Sequence, residues 1–314
     1  MQTPIQQTKK WQKFLEQTGA KTFFEQTEDY TFLAELKSTP LGNYLYTPCG
    51  PYTQSKNGLK KALKALESIA KAENAMFIRI EPEDVENLNF LRKTPNVKKS
   101  HDLHPADTWI LDLAPDQNTL YSHMKQNTRN LCRNYTKKGL KVTTSKDPSD
   151  IKYLVNLQQK LAKVKKIGVY DKKYLETELK QDFATLYLVH YTPKNSKKSK
   201  IIAASLFFDH ENTRYYMQSA SDYNYRKLPA TIALLNDAIM DAKEKGLKKF
   251  DFWGIAPDGA PKDHPWAGFT DFKKSFGGEA VHYCGTWDII LNPTKYHLYQ
   301  ILRKINKIKR KIIR

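Results

Sequence analysis

The sequence predicts an α+β protein of two domains. Three observations carry this: a length of 314 residues, strand and helix periodicities interleaved along the chain, and a restart of that pattern near Asp147-Pro148. At roughly 150 residues per domain, the length alone calls for two. With 40% hydrophobic and 12% aromatic residues the chain can fill two cores. Its 52 Lys and Arg against 33 Asp and Glu leave a formal charge of +19. Such a surplus concentrates anions, so nucleic acid, nucleotide sugars and anionic head groups are the partner classes to weigh.

The elements follow in order. Thr8 to Gly19 reads as a short helix stopped by glycine, and Asn43 to Tyr46 as a strand entering the turn Pro48-Cys49-Gly50-Pro51. Leu59 to Glu73 carries Leu59, Leu63, Leu66 and Ile69-Ala70 on one face, an amphipathic helix. Ala75 to Glu81 alternates as a strand before Pro82, and Thr108 to Leu113 is another. Residues 119–138 form a polar helix with a basic side, ended by Gly139 and followed by a strand at Lys141 to Thr144. Beyond Asp147-Pro148 come helices at 149–166 and 171–182, strands at 184–191, 201–209 and 213–220, a helix at 229–245, a strand at 248–253 and a strand near 281–291. This second half has the layout of an acetyltransferase-like (GNAT) domain, and the first half looks like a looser version of it. The expected domains are 1–145 and 146–292.

Several function classes drop out. The longest apolar runs, such as Ile201 to Phe208, fall far short of the 18 or so residues a membrane span needs. The first residues lack a signal-peptide core, so the expected location is the cytoplasm. Three separated cysteines (Cys49, Cys132, Cys284) and eight histidines without a His-Glu-x-x-His spacing make neither a disulfide framework nor a metal site; no metal or cofactor is expected. The lysine-rich loop Thr192 to Lys200 reads as a solvated hairpin tip. The tail Ile301 to Arg314 places Ile301, Leu302, Ile305, Ile308 and Ile312 at helical spacing amid basic residues. That stripe suits either packing on the protein body or lying on an anionic membrane.

Two stretches could carry chemistry. An acetyl-CoA enzyme of this layout needs an Arg/Gln-x-x-Gly-x-Gly/Ala turn that brings backbone N–H groups to the pyrophosphate. The matching stretch is Arg226-Lys227-Leu228-Pro229-Ala230-Thr231, where proline replaces the first glycine and removes a donor. Arg226, beside Tyr223 and Tyr225 at a helix N-terminus, suits another anion or a plain surface turn. The densest stretch is Phe250 to Glu279, where a strand ending at Trp253-Gly254 leads through an aromatic, proline-rich loop to Phe272-Lys273-Lys274-Ser275-Phe276. Long loops in compact domains are usually functional. A lysine shielded by Phe272 and Phe276 could hold a developing oxyanion; on composition alone, Lys273 and Lys274 read as ordinary surface lysines.

This stretch, from His264-Pro265 to Gly278, resembles the C-terminal signature of the Fem family (FemA, FemB, FemX), transferases that build the interpeptide bridges of peptidoglycan. The resemblance extends upstream through Phe23 to Thr27, Pro48 to Pro51, Phe77 to Pro82, Thr108 to Leu113 and Asn127-Thr128-Arg129-Asn130, and resumes at Tyr215 to Ala220 and Arg226 to Pro229. It implies two GNAT-like domains with a cleft between them, the first completed by a C-terminal helix at 293–314. It also implies transfer of an amino acid from aminoacyl-tRNA to the stem-peptide amine of a muropeptide, either UDP-linked or lipid-linked. On that basis Lys273 is catalytic, with Phe272 beside it. Arg226, Tyr225, Tyr216, Trp253, Arg129 and Lys274 would bind substrate. Asp112, at a strand end, is the expected general base, or else a cap on the next turn. The lack of a sustained heptad run favours the compact FemX-like form, acting as a monomer with peripheral contact to the inner leaflet. At the position where many relatives carry a substrate-binding basic residue, this chain has Ala34. The rival readings are an acyl-CoA-dependent N-acyltransferase and a non-catalytic basic RNA-binding protein.

Overall fold

The computed structural model describes residues 2–165, 168–194 and 196–312, with side chains of 164–165 and 306–312 excepted. The chain runs through α1 (Lys9–Gln17), β1 (Thr22–Gln26), β2 (Tyr30–Thr39), β3 (Gly42–Thr47), β4 (Tyr52–Thr53), α2 (Gly58–Ala72), β5 (Ala75–Ile80), α3 (Leu88–Lys93) and β6 (Val97–Lys99). It continues with β7 (Asp107–Asp112), α4 (Gln117–His123), α5 (Gln126–Asn134), β8 (Leu140–Ser145), α6 (Ile151–Lys165), α7 (Lys172–Leu179), β9 (Ala184–Tyr191), β10 (Lys200–His210) and β11 (Thr213–Ser221). Last come α8 (Ala230–Glu244), β12 (Lys249–Gly254), α9 (Ala267–Lys274), β13 (Glu279–His282), β14 (Trp287–Ile290) and α10 (Pro293–Ile312).

The first unit comprises residues 1–106 and 282–314. Its sheet runs β1-β2-β3-β5-β14-β6, with β4 on β2. The parallel pair β3 and β5 is joined by α2, whose Leu59, Ala62, Leu63, Leu66 and Ala70 are buried against Ile78, Ile80, Phe32 and Leu45. This is the stripe that the i, i+3, i+4 spacing predicts. Strand β5 is buried along its whole length because its other face is covered too. Phe77 and Arg79 alternate with Ile78 and Ile80, and Phe77 packs on Tyr296 and Tyr299 of α10. The C-terminal helix thus docks on the first unit, as expected, but through its tyrosines. Ile301, Leu302 and Ile305 are exposed, so the apolar stripe is not the docking face; the side chains of Ile308 and Ile312 lie outside the described residues.

The second unit, residues 107–281, is built on a sheet of order β13-β7-β12-β11-β10-β9-β8. Here α8 is the crossover between the parallel strands β11 and β12 and buries Ala233, Leu234, Ala238 and Ile239 against the sheet. The expected boundaries at 145/146 and 292/293 therefore move to 106/107 and 281/282. The reason is strand pairing: β7 hydrogen-bonds to β12, and β14 inserts between β5 and β6. The strand expected near 281–291 is accordingly two strands in two different sheets, and the helix expected at 119–138 breaks between α4 and α5. No helix among the described residues is long and apolar enough to cross a membrane.

Candidate active centre of the second unit

The parallel strands β11 and β12 pair from Thr213↔Lys249 to Tyr215↔Asp251 and then part, β11 running on to Ser221. On its other side β12 pairs with β7, where between the pairs Asp251↔Ile110 and Gly254↔Thr108 two residues of β12, Phe252 and Trp253, oppose the single Trp109 of β7. That bulge places Trp253 at φ +65, a costly conformation for a bulky residue. Asp251 accepts the Trp253 N–H at 2.7 Å and the Thr108 hydroxyl, which holds the bend. The distortion turns two consecutive carbonyls toward Lys273, whose ammonium donates to Gly254 O at 2.5 Å and Trp253 O at 3.2 Å.

Lys273 lies in the last turn of α9 and is 9% exposed. Three contacts fix that helix. Thr270 Oγ1 accepts from Ala256 N at 2.8 Å, Ser275 O accepts from Lys125 N at 2.9 Å, and Thr128 donates to the Ser275 hydroxyl at 2.9 Å. Phe272 packs edge-on against the fully buried Phe276 at 5.4 Å. Past the helix, Trp109 Nε1 donates to Gly277 O at 2.7 Å. A Cβ on Gly278, at φ +95, would sit 2.4 Å from Ile110 O, so only glycine closes this turn. Lys274 faces the other way, over the Trp109 ring at 5.3 Å.

Burial disfavours charge on both ionisable groups of this centre. It pushes the Asp251 carboxyl up to about 6 and, against the pull of Asp251, draws the Lys273 ammonium down to about 8. An ammonium has three donors and two carbonyls occupy two, leaving one N–H for a substrate oxygen.

The expected site residues divide. Lys273, Phe272 and Trp253 meet here, and Arg129 sits on α5, whose N-terminal turn is fastened to Ser275; its guanidinium donates to Ser122 O at 3.2 Å. Asp112 does not join them. The register puts it opposite Lys249, at the far end of β7 from Thr108, four residues or about 13 Å away. It is exposed and caps the Ala114 N–H at 2.9 Å. Tyr216 also points elsewhere: it stacks on Phe207 in the core beneath α8, and it is Tyr215 that packs edge-on against Trp253 at 6.3 Å. Arg226 is exposed, with its guanidinium 4.4 Å from the Tyr223 ring centroid, and Tyr225 carries Lys200 over its ring at 4.9 Å. Both precede α8, whose N-cap is Pro229. Ala34 is fully buried under α2 and offers no substrate contact. Asp251 and Thr108 were not anticipated, although an Asp between Phe250 and Phe252 in a strand marks a polar residue on the other face.

The first unit holds a second buried polar centre. Glu81 accepts at Oε1 from Thr286 Oγ1 (2.7 Å), His104 N (3.2 Å) and Leu103 N (3.3 Å). At Oε2 it accepts from the Tyr46 hydroxyl (2.8 Å) and Cys49 N (3.4 Å), and it pairs with His104 Nδ1 at 2.8 Å. Among the described residues Cys49, Glu81 and His104 form the one group whose ligand atoms, within 4.8 Å of each other, have the makeup to hold a metal. Every oxygen position of Glu81 is already taken by a donor of the chain itself.

Comparison with known proteins places this architecture. A lipid II:glycine glycyltransferase of Staphylococcus epidermidis is 28% identical over 151 residues, 48% of this chain and 35% of that protein. The chain spans only 25 to 35% of the length of the curated relatives it matches. The crystal structure of FemX superposes with a TM-score of 0.81 at 19% identity over 94% of both chains. A tandem GNAT protein from the clavulanic acid biosynthesis pathway gives 0.54 at 10% identity over 84% of this chain and 80% of that one. The fold is thus α+β with two GNAT-like domains. The FemAB family profile matches residues 1–104 and 152–304, most of the sequence and both units, and the chain belongs to the FemAB family.

Proposed function

We propose that the protein is an aminoacyltransferase that moves an amino acid from aminoacyl-tRNA to the stem-peptide amine of a peptidoglycan precursor, and that Lys273 is its catalytic cation. The observation that carries this reading is the buried Lys273 ammonium, clamped by the Trp253 and Gly254 carbonyls where β11 and β12 part, with one N–H to spare. An aminoacyl ester is already activated, so the enzyme must orient a neutral amine and stabilise the oxyanion that its attack creates. The C–N bond forms as the carbonyl oxygen takes the electron pair. On collapse the ester C–O bond breaks, and the ribose hydroxyl leaves with the proton that the amine gives up. Lys273 donates to the oxyanion or to that leaving oxygen. The burial of Lys273, 9% exposed, limits water at the ammonium, which strengthens it as an electrostatic catalyst.

Family membership supports the aminoacyl-transfer chemistry, and the +19 charge suits a tRNA acceptor stem and a diphosphate-bearing acceptor. Pro229 at the α8 N-cap argues against coenzyme A, whose pyrophosphate needs a glycine turn there. Lys274, Arg129, Arg226, Tyr225 and Trp253 are proposed to contact the two substrates, with Arg226 meeting a phosphate. The test is a pair of assays, charged tRNA with UDP-linked or lipid-linked muropeptide, and acetyl-CoA with the same acceptors. Transfer in the first alone bears the proposal out; saturable acetyl-CoA turnover and none from charged tRNA would replace it.

A further inference from the structure

Five buried side-chain polar atoms among the described residues lack a hydrogen-bond partner, and three of them gather on one set of elements in the second unit: Gln158 Oε1 on α6, Glu178 Oε2 on α7 and Gln218 Oε1 on β11. All three are oxygens, so what is missing is a donor. Glu178 is 1% exposed, and its other oxygen accepts from Gln218 Nε2 at 3.4 Å. Helix α6, with Gln158, packs against both α7 and β11. An orphaned buried acceptor costs about 1–3 kcal/mol, so three on adjoining elements call for an explanation outside the chain's own stability.

Their placement supplies one. Between Ser205↔Ser219 and Phe207↔Tyr216 strand β11 spends one residue more than β10. The bulge turns Gln218 to the face opposite Tyr216, the face of Tyr215, which packs on the Trp253 that holds Lys273. Gln218 follows Tyr215 by about 10 Å of strand. Burial holds the Glu178 carboxyl up to about 8, as expected of an acid with no cation beside it; the Tyr170 phenol is raised chiefly by desolvation and secondarily by Glu178. Tyr170 is exposed and stacked on Tyr174 at 5.7 Å, and Tyr174 lies one turn before Glu178 on α7.

We infer that Glu178 and Gln218, with Gln158, form a subsite for a primary ammonium group, its three N–H donors meeting the three orphaned oxygens. Under the function proposed above, on which this identification rests, two substrates carry such a group: the donor, as the free α-amine of the esterified amino acid, and the acceptor, as the stem-peptide amine before it is deprotonated for attack.

The experiment uses the full chain with glycinamide and N-acetylglycinamide as probes, followed by NMR titration, and steady-state kinetics with both substrates. Glycinamide should bind at least tenfold more tightly than its acetylated form, and Glu178→Gln should abolish that preference. Glu178→Leu should do the same with an equal or higher Tm, because an apolar group replaces an unpartnered carboxyl. In kinetics, Glu178→Gln should raise KM at least tenfold for charged tRNA if the donor amine sits here, or for the muropeptide if the acceptor amine does. Equal binding of both probes, or unchanged glycinamide binding and unchanged KM values in Glu178→Gln, overturns the subsite. Wild-type protein that binds glycinamide through Glu178 yet transfers nothing from charged tRNA leaves the subsite standing and removes the proposed function instead.

Discussion

Glu81 and Lys273 are both buried ionisable groups at the heart of a unit, and they are treated in opposite ways. Around Glu81 the first unit assembles hydroxyl, amide and imidazole donors on both oxygens, and His104 and these donors outweigh burial and hold its carboxyl down at about 2. Around Lys273 the second unit supplies two carbonyls and one uncontacted carboxylate, and burial wins. A saturated network fixes a fold; an undersupplied one leaves capacity for a ligand. The buried arginines sharpen the contrast. Arg79 is met by both oxygens of Asp288, at 2.7 and 2.8 Å, and Arg214 by Asp209 and Asp241, each at 2.6 Å. Each is a fully paired cation, and Lys273 is the exception.

The largest effect should come from breaking a saturated pair. Asp288→Ala strands the Arg79 charge in the core of the first unit and removes the acceptor of the Tyr296 hydroxyl, bonded at 2.9 Å. Loss of about 3–5 kcal/mol is expected in chemical denaturation. A loss below about 1 kcal/mol would show that the pair is not structural.

Lys273→Met should act on the other axis. Turnover should fall by about 10² to 10³, equivalent to about 2.7–4 kcal/mol of transition-state stabilisation. Stability should hold or rise, since the folded state keeps a cation whose pKa is depressed below its unfolded value. A folded variant within threefold of the wild-type rate would remove Lys273 from the chemistry, and a large drop in Tm would erase its contrast with Glu81.

A pH series should separate the two centres by sign. Glu81 has a folded pKa of about 2 against an ordinary 4.5, so it contributes stability above about 4.5 that is lost as pH falls toward 2, roughly 3 kcal/mol in all. Glu81→Gln should flatten that limb of the stability curve. Transfer activity, which needs charged Lys273, should decline instead as pH rises through about 8. Activity that is level from pH 7 to 10 would contradict the cationic role.

The smallest effect concerns α10. Because Tyr296 and Tyr299 make its contact with Phe77, changing exposed Ile301, Leu302 or Ile305 to Ser should move stability by no more than about 0.5 kcal/mol each. A loss of 2 kcal/mol at any of them, in a melt of the isolated protein, would mean that the stripe docks after all.

What could be read from the sequence followed from local periodicity. The stripe of α2 and the alternation of β5 are one-dimensional patterns, and the Phe-Lys-x-x-Phe segment is compact enough to be seen as one unit. Misplaced residues depended on pairing that no local pattern encodes. Asp112 ends a strand, as expected, but only the register with β12 tells which end of β7 faces Lys273. Tyr215 and Tyr216 are adjacent, and which of them faces Trp253 depends on how β11 lies between its neighbours. Strand β2 escaped notice because Tyr30 to Ala34 is buried on both faces and does not alternate. The sequence marks a helix at 171–182 but nothing in it singles out Glu178; its burial comes from α6 packing on α7 and from Gln218 of β11 beside it.

The insertion of β14 between β5 and β6 also bears on how the chain is made. Residues 107–281 form their sheet without help from either end, whereas the sheet of residues 1–106 lacks an interior strand until residues 287–290 are synthesised. Domains generally fold as units as they leave the ribosome, the N-terminal one first. Here that order should be reversed: the middle of the protein can be finished first, while its beginning waits for its end, with one edge of β5 unpaired and Phe77 not yet covered by Tyr296 and Tyr299. Ribosome-bound chains halted once Val281 has emerged should resist protease across residues 107–281 while residues 1–106 are still cut. Equal protection of both segments at that length would mean that the first sheet closes without its last strand.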